Sequence, residues 1–383
     1  MPVSNEDPAL VTFTSGSTGE PKAALRTHGF LLAQHRVLEQ SLELQPGRCD
    51  LTTLPIFVLT NLASGVTSVL PDADLRAPGA INPRPVLSQL QRHGIKTTAA
   101  SPAFMSRLLD ECERSGTQIS ELERVYLGGA PVFPGVLRKT EQFCPHAVIT
   151  AVYGSTEAEP MAEICLADIS SDDFHLMRQG KGLLAGPPIP SISLRVICDQ
   201  WGKAIPRLDT RQFDHMVLAT GEPGEIVVSG AHVLPGYLQG EGDAETKFNV
   251  EGTRWHRTSD LGYLDAKGRL WLLGRCSAKI EDAHGTLYPF AVECAAVENP
   301  SIRRAAMVSI AGRRVLAIET ATPIFSEKIQ PTAAISSEEI QRSLAWAKVD
   351  QVVVLDRIPV DKRHNAKIDY IALNHKLANF TRP

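Results

Sequence analysis

The sequence predicts an α/β protein: layered sheets with covering helices, then a β-rich subdomain, then a small α+β carboxy-terminal domain on a hinge. Three observations carry that expectation. Helical and strand periodicities alternate through the amino-terminal part, the order expected of a mostly parallel sheet with crossover helices. From about residue 164 short strands separated by Gly, Pro and Asp turns take over, and near residues 274–277 the texture changes again. The expected divisions are 1–163, 164–275 and 276–383, and with 43% hydrophobic residues the chain can fill more than one core.

Residues 10–22 read Leu-Val-Thr-Phe-Thr-Ser-Gly-Ser-Thr-Gly-Glu-Pro-Lys, an apolar strand running into a loop of glycines and hydroxyls that closes on a lysine. Apolar residues at Leu31, Leu32, Leu38 and Leu42, with His35, give a helical period over 29–42, ended by Pro46-Gly47. A strand over 51–54 follows, and 55–61 reads as a loop carrying Phe57 before an apolar stretch at 62–70. Helix 86–93, strand 95–100, helix 103–113 and strand 124–127 lead to a Gly128-Gly129-Ala130-Pro131 turn. Helix 134–143 precedes a strand over 147–153 that runs into Gly154-Ser155-Thr156-Glu157. The β-rich part is expected to contain strands 193–197, 224–229 and 269–273. The last unit has helices 291–298 and 336–348, the second opened by a Ser336/Glu339 capping box, and strands 305–310, 314–319 and 351–355.

Composition narrows the ligand class. With 39 basic and 43 acidic residues, net −4, and no basic run interleaved with aromatics, a nucleic-acid surface is excluded. Seven scattered cysteines without a Cys-x-x-Cys pair argue against a disulfide framework or a zinc site and suit a reducing cytoplasm. No charged-then-apolar leader follows Met1 and no apolar run approaches membrane-spanning length, so stable membrane insertion is not expected. A small molecule is the remaining class of partner.

The 10–22 stretch reads as an anion cradle. Gly16 and Gly19 free backbone N–H groups, Thr14, Ser15, Ser17 and Thr18 add hydroxyls, and Lys22 adds a mobile charge. The spacing is not that of the common P-loop, and taken alone the run also fits a solvated turn after an edge strand. The Gly128-Gly129-Ala130 turn offers a ledge for a flat ring, or is simply a tight turn. Tyr153-Gly154-Ser155-Thr156-Glu157 combines an aromatic face, hydroxyl donors and a carboxylate, a set suited to adenine and a phosphate-bound Mg²⁺. Asp260, in Thr258-Ser-Asp-Leu-Gly262, has the chemistry to take both hydroxyls of a ribose, although a turn aspartate is more often a turn former. Residues 359–369, with Lys362, Arg363 and Lys367, form a basic loop whose plain reading is a solvated surface.

In this order and spacing the segments resemble the adenylate-forming superfamily of acyl-CoA synthetases, peptide-synthetase adenylation domains and luciferases, over nearly the entire chain. The resemblance implies that residues 14–22 are the phosphate loop, 153–157 the adenine and magnesium motif with Glu157 as metal ligand, and 257–262 the ribose motif. It implies that Asp260 and Arg275 hold the ribose, that Ser277 occupies the hinge position, and that Lys367 reaches into the site during adenylation. The implied reaction is attack of a carboxylate on the α-phosphorus of MgATP, giving an acyl adenylate and pyrophosphate. Glu157, Lys22 and Lys367 would stabilise the charge that builds there.

Within the superfamily, Pro55-Ile-Phe57-Val-Leu-Thr-Asn61-Leu, residues 283–289 and residues 359–368 resemble the β-lactone synthetases of bacterial olefin biosynthesis. Acyl-CoA ligases usually place a histidine after the Phe, and a glycine where Ala366 stands. That resemblance implies a long-chain 3-hydroxy acid substrate, an acyl pocket at Phe57 and Asn61, and closure by the substrate's own hydroxyl without coenzyme A. A fatty acyl-CoA ligase and a catalytically incomplete nucleotide-binding fragment stay open as alternatives. The superfamily carries a substantial layer ahead of the phosphate loop. The expectation is therefore a fragment, a remnant, or a chain that self-associates or pairs with a separately encoded amino-terminal half.

Overall fold

The computed structural model describes residues 3–14, 22–320, 336–360 and 368–378. Strands β1 (Pro8–Phe13) and β2 (Ala23–Thr27) form an antiparallel hairpin in which Phe13 pairs with Ala23, and the Thr14 N–H donates to the Lys22 carbonyl at 2.9 Å. Thr27 then caps helix α1 (His28–Ser41) by accepting from the Phe30 N–H.

The first large sheet takes the order β4 (Thr67–Val69), β3 (Cys49–Thr52), β5 (Thr97–Ala100), β6 (Arg124–Leu127), β7 (Val148–Ser155), β8 (Ala158–Cys165). All neighbours are parallel except β7 and β8, which form a hairpin. Helices α2 (Pro55–Ala63), α3 (Pro83–Arg92), α4 (Pro102–Ser115) and α5 (Pro134–Phe143) connect the strands, each opening with proline in its first turn, where the missing N–H costs nothing. The loop expected over 55–61 is therefore a helix. Its apolar run lacks turn residues, and Pro55 starts the helix rather than breaking it. Leu51, Leu108, Leu109, Val125 and Leu127 are fully enclosed between this sheet and its helices.

Helix α6 (Ser171–Arg178) leads to an antiparallel sheet of β9 (Leu183–Gly186), β10 (Ser193–Ile197), β11 (Gly224–Ser229), β12 (Lys247–Val250), β13 (Thr253–Leu264) and β14 (Leu270–Arg275), with the short helices α7 (Thr210–Met216) and α8 (Asp243–Thr246) between strands. Arg269, just ahead of β14, ties α6 to this second sheet by pairing both carboxylate oxygens of Asp173, at 2.9 and 2.7 Å.

The last unit holds a hairpin of β15 (Ile280–Asp282) and β16 (Gly285–Leu287), helix α9 (Pro289–Ala296), and a sheet of β17 (Ile302–Ile310), β18 (Arg313–Thr320) and β19 (Gln351–Val354) covered by α10 (Ser337–Ser343) and α11 (Tyr370–Leu377). The capping box of Ser336 and Glu339 is present. The helix expected to run to 348 ends at Ser343, and a 3-10 turn at Ala345–Ala347 completes the segment. This unit seats on the rest through the Phe133–Phe290 ring pair at 5.7 Å, ion pairs from Arg138 and Arg178 to Glu298, and a 2.7 Å pair between Lys279 and Asp199.

Candidate functional site

The parallel strands lie side by side as β3, β5, β6 and β7, and their carboxyl ends all deliver residues to one place. Leu54, Pro55 and Ile56 follow β3, Ser101 follows β5, Gly129 follows β6, and Gly154 to Glu157 close β7. That edge is where open α/β sheets bind ligands. The β1–β2 hairpin and the second sheet supply the facing wall, and together they enclose a cleft of about 300 Å³.

Glu157 lies at its centre. Its Oε1 accepts a 2.7 Å hydrogen bond from the Tyr237 hydroxyl, and Lys22 and Lys247 place their ammonium groups 5.4 and 5.7 Å from the Tyr237 ring centre. The Lys22 side chain packs across Gly242, whose φ of +92° and lack of a side chain leave it room. Lys247 donates to the Leu234 carbonyl at 2.7 Å and lies 3.0 Å from Nδ1 of His256. Burial, then the Lys247 ammonium, push His256 down to about 3, so its ring is neutral. Burial also works to raise the Glu157 carboxyl. The nearby His256 and hydrogen bonds with Tyr237 and Ser155 outweigh it and hold the group below the ordinary range, the hydrogen bonds being the durable cause beside a neutral ring. Burial lowers Lys247 to about 8, against the pull of Glu157.

Arg26 ties the hairpin to this turn. It is 2% exposed, and it donates to Gln34 Oε1 at 2.8 Å, to the Thr156 carbonyl at 2.8 Å and to Thr12 Oγ1 at 3.3 Å. At the other end Asp260 accepts from the Tyr153 hydroxyl at 2.7 Å and pairs with Arg275 at 3.2 Å, while Arg275 also donates to the Thr258 carbonyl. Asp260 therefore enters the site already oriented by an arginine and a phenol. Behind it, Arg257 binds both oxygens of Glu225 in a pair that is 2% and 0% exposed.

Thr14, Lys22, Gly129, Gly154, Ser155, Thr156, Glu157 and Arg275 line the one cleft, with Tyr153 and Asp260 bonded at its edge. Gly128 lines a smaller adjoining cavity, whereas Ala130 lines neither. Phe57 joins Leu38, Leu42, Leu54, Tyr126 and Val152 around that smaller cavity, which has about 20 Å³ of free space. Asn61 corrects the acyl-pocket expectation. On the helix it turns inward, is 1% exposed, and donates to Asp50, Thr52 and Ser68, so it satisfies a buried polar cluster under the sheet. Ser277 is exposed in a 3-10 turn at Cys276–Ala278, directly after β14. Ser15, Gly16, Ser17, Thr18, Gly19 and Lys367 lie outside the described residues. Arg26, Tyr237, Lys247 and Glu159 were not singled out by sequence. Tertiary packing brings Arg26 and Tyr237 to the cleft and Lys247 against Tyr237, whereas Glu159 arrives on the returning arm of the β7–β8 hairpin, two residues past the motif.

The AMP-binding enzyme family matches residues 1–238. The chain belongs to that family. It is 33% identical over 383 aligned residues to the olefin β-lactone synthetase of Xanthomonas campestris pv. campestris, covering 95% of this chain and 66% of that protein. It is 32% identical to the olefin β-lactone synthetase of Stenotrophomonas maltophilia, with the same coverage. The indoleacetate–CoA ligase of Aromatoleum aromaticum is 27% identical, over 93% of this chain and 65% of its own length. The chain thus spans about two thirds of the length of these relatives. Among solved structures, ATP-bound MatB from Rhodopseudomonas palustris superposes with a TM-score of 0.75 at 20% identity, over 99% of this chain and 70% of that one. O-succinylbenzoate coenzyme A synthetase from Bacillus subtilis, in complex with ATP and magnesium, gives 0.72 at 22%, over 98% and 71%. These likenesses establish the layered α/β fold with its small last unit. No helix among the described residues is long and apolar enough to cross a membrane.

Proposed function

We propose that this chain carries the nucleotide site of an AMP-forming, acid-activating enzyme that converts a carboxylic acid and ATP to an acyl adenylate and pyrophosphate. The observation that carries the reading is the convergence of Lys22, Glu157 with Tyr237, and the Asp260–Arg275 pair on one cleft at the carboxyl ends of the parallel strands. Asp260 retains free lone pairs for ribose hydroxyls. Gly129 allows a ring to lie against backbone, and Lys22 faces the space where phosphates would extend. The donor set suits a hard divalent cation: Glu157 offers a carboxylate kept ionised by hydrogen bonds. Mg²⁺ held there would neutralise phosphate charge. Ser15 to Gly19 would add donors for the phosphates and Lys367 a cation.

The finer reading is closure of a long-chain 3-hydroxyacyl adenylate to a β-lactone. The bond from the 3-oxygen to the carbonyl carbon forms, the bond from that carbon to the AMP oxygen breaks with its electron pair leaving on AMP, and the hydroxyl proton passes to water. A tethered nucleophile makes coenzyme A unnecessary. Support comes from the olefin β-lactone synthetases among the relatives. The test is pyrophosphate release by the 383-residue chain with MgATP and long-chain acids, with and without a 3-hydroxyl and without coenzyme A. Release with the hydroxylated acids and a β-lactone product support the reading. AMP production that depends on coenzyme A supports the acyl-CoA ligase instead, and nucleotide binding without release overturns catalysis by this chain.

A further inference from the structure

The nucleotide cleft and the apolar cavity meet at one point. Leu54, Gly129, Gly154 and Glu159 line both, so a ligand seated in the first touches the mouth of the second at this point. Leu54 offers hydrocarbon there and the glycines offer backbone; Glu159 alone offers a polar side chain. Its place is fixed by the β7–β8 hairpin. A Cβ added to Gly154 would come within 3.4 Å of both Cα and Cγ of Glu159, so this side chain lies across the bare Gly154 backbone.

Within the described residues no donor completes a hydrogen bond to the Glu159 carboxyl; the influences on it are burial and the charge of Arg26. Arg26 acts from a distance, because its N–H groups are directed to Thr12, Gln34 and the Thr156 carbonyl. A partly buried carboxyl without a donor, against an apolar wall, bears a desolvation cost that a hydroxyl on the ligand would offset. The acceptor is available in either protonation state, since both forms keep an oxygen lone pair for it.

We propose that Glu159 is a specificity determinant that accepts the hydrogen bond of the substrate's 3-hydroxyl and holds that oxygen beside the activated carbonyl. The inference rests on the adenylation of a 3-hydroxy acid proposed above. The same contact accounts for how a site with a narrow apolar cavity distinguishes a hydroxylated acid from the unsubstituted acid of equal length, which apolar packing does poorly.

The test measures acid-dependent exchange of labelled pyrophosphate into ATP, with a long-chain 3-hydroxy acid and its unsubstituted analogue, in the wild-type chain, Glu159→Gln and Glu159→Leu. The wild type is expected to prefer the hydroxy acid by roughly 10- to 100-fold in kcat/KM, the range for a hydrogen bond to a charged group. Glu159→Leu collapses that ratio to about one, and Glu159→Gln, whose amide oxygen still accepts, retains part of it. A ratio unmoved in Glu159→Leu, or both acids falling together in both variants, overturns the assignment while leaving adenylation intact. Exchange with neither acid in the wild type overturns the adenylation reading and this inference with it. Glu159→Gln keeps size and shape at a residue with no hydrogen bond to lose among the described residues, so it remains informative if Glu159→Leu misfolds.

Discussion

Replacing Asp173 by Asn tests whether helix α6 is held to the second sheet by charge. Asp173 is 3% exposed; its carboxylate takes both arms of the Arg269 fork and closes the capping box with Ser170. The Arg269 hydrogen bonds, with smaller help from Ser170 and against burial, hold the group down from 3.8 to about 2. That difference is worth about 2.5 kcal/mol at neutral pH. Because the folded value is the lower one, the stability is complete above the unfolded value near 4 and is lost as the pH falls through about 2. Arg269 keeps Asp265 at 2.8 Å in the variant, so the cost does not rise to that of an orphaned buried charge. Urea unfolding followed by tryptophan fluorescence, with Trp271 beside the pair, should place Asp173→Asn about 2 to 3 kcal/mol below wild type at pH 7, the gap narrowing to about half by pH 3. A gap below about 1 kcal/mol at pH 7, or one that does not narrow in acid, refutes the assignment of this stability to the ion pair.

Three further outcomes follow from particular contacts. Tyr237→Phe removes the 2.7 Å hydrogen bond to Glu157 and should raise the KM for MgATP roughly 10- to 100-fold with little change in melting temperature, read by nucleotide titration in the exchange assay. Arg314→Met strips donors from Asp282, Ala347 and Gly285 around a side chain that is 3% exposed; it should destabilise the last unit by about 3 to 5 kcal/mol, seen as faster amide exchange in β17 and β18. Native labelling with a thiol reagent should be confined in its fast phase to Cys49, Cys165 and Cys198, since Cys112, Cys144, Cys276 and Cys294 are buried and burial pushes Cys144 up to about 12; all seven should react in urea.

Much of the architecture was legible because its signals are local. The strands at Arg124–Leu127, Ser193–Ile197 and Gly224–Ser229 and the helix at Pro134–Phe143 have the bounds read from periodicity and turn residues. What escaped depends on partners distant in sequence. β2 is a short segment whose strand character comes from pairing with β1, and β8 is recognisable as a strand only as the returning arm of the β7 hairpin. The segment after Pro55 reads as a loop in sequence, whereas Pro55 at the first turn starts a helix there. Asn61 escaped for a related reason. In a loop it would face a pocket, but on the buried face of α2 it meets Asp50 and Thr52, and burial of Asp50 requires those donors.

The site divides along the same line. Residues that work through backbone shape or strand-end position, such as Gly129, Gly154 and Glu157, carry motifs because the chain must turn there in a defined way, and a turn leaves a sequence signature. Residues that work by reaching in from another layer leave none. Arg26 sits in the middle of β2, Tyr237 follows the second sheet's β11, Lys247 opens β12, and Glu159 reads as an ordinary strand residue next to a proline. Yet these side chains shape the electrostatics: Tyr237 helps to keep Glu157 charged, Arg26 locks the turn that presents it, and Lys247 adds to the burial that keeps His256 neutral. On the function proposed above, a motif locates the nucleotide, whereas discrimination among acids falls to residues outside it. The one of these at the junction of the two clefts, Glu159, is where a change of substrate would be written with the phosphate and ribose contacts left in place.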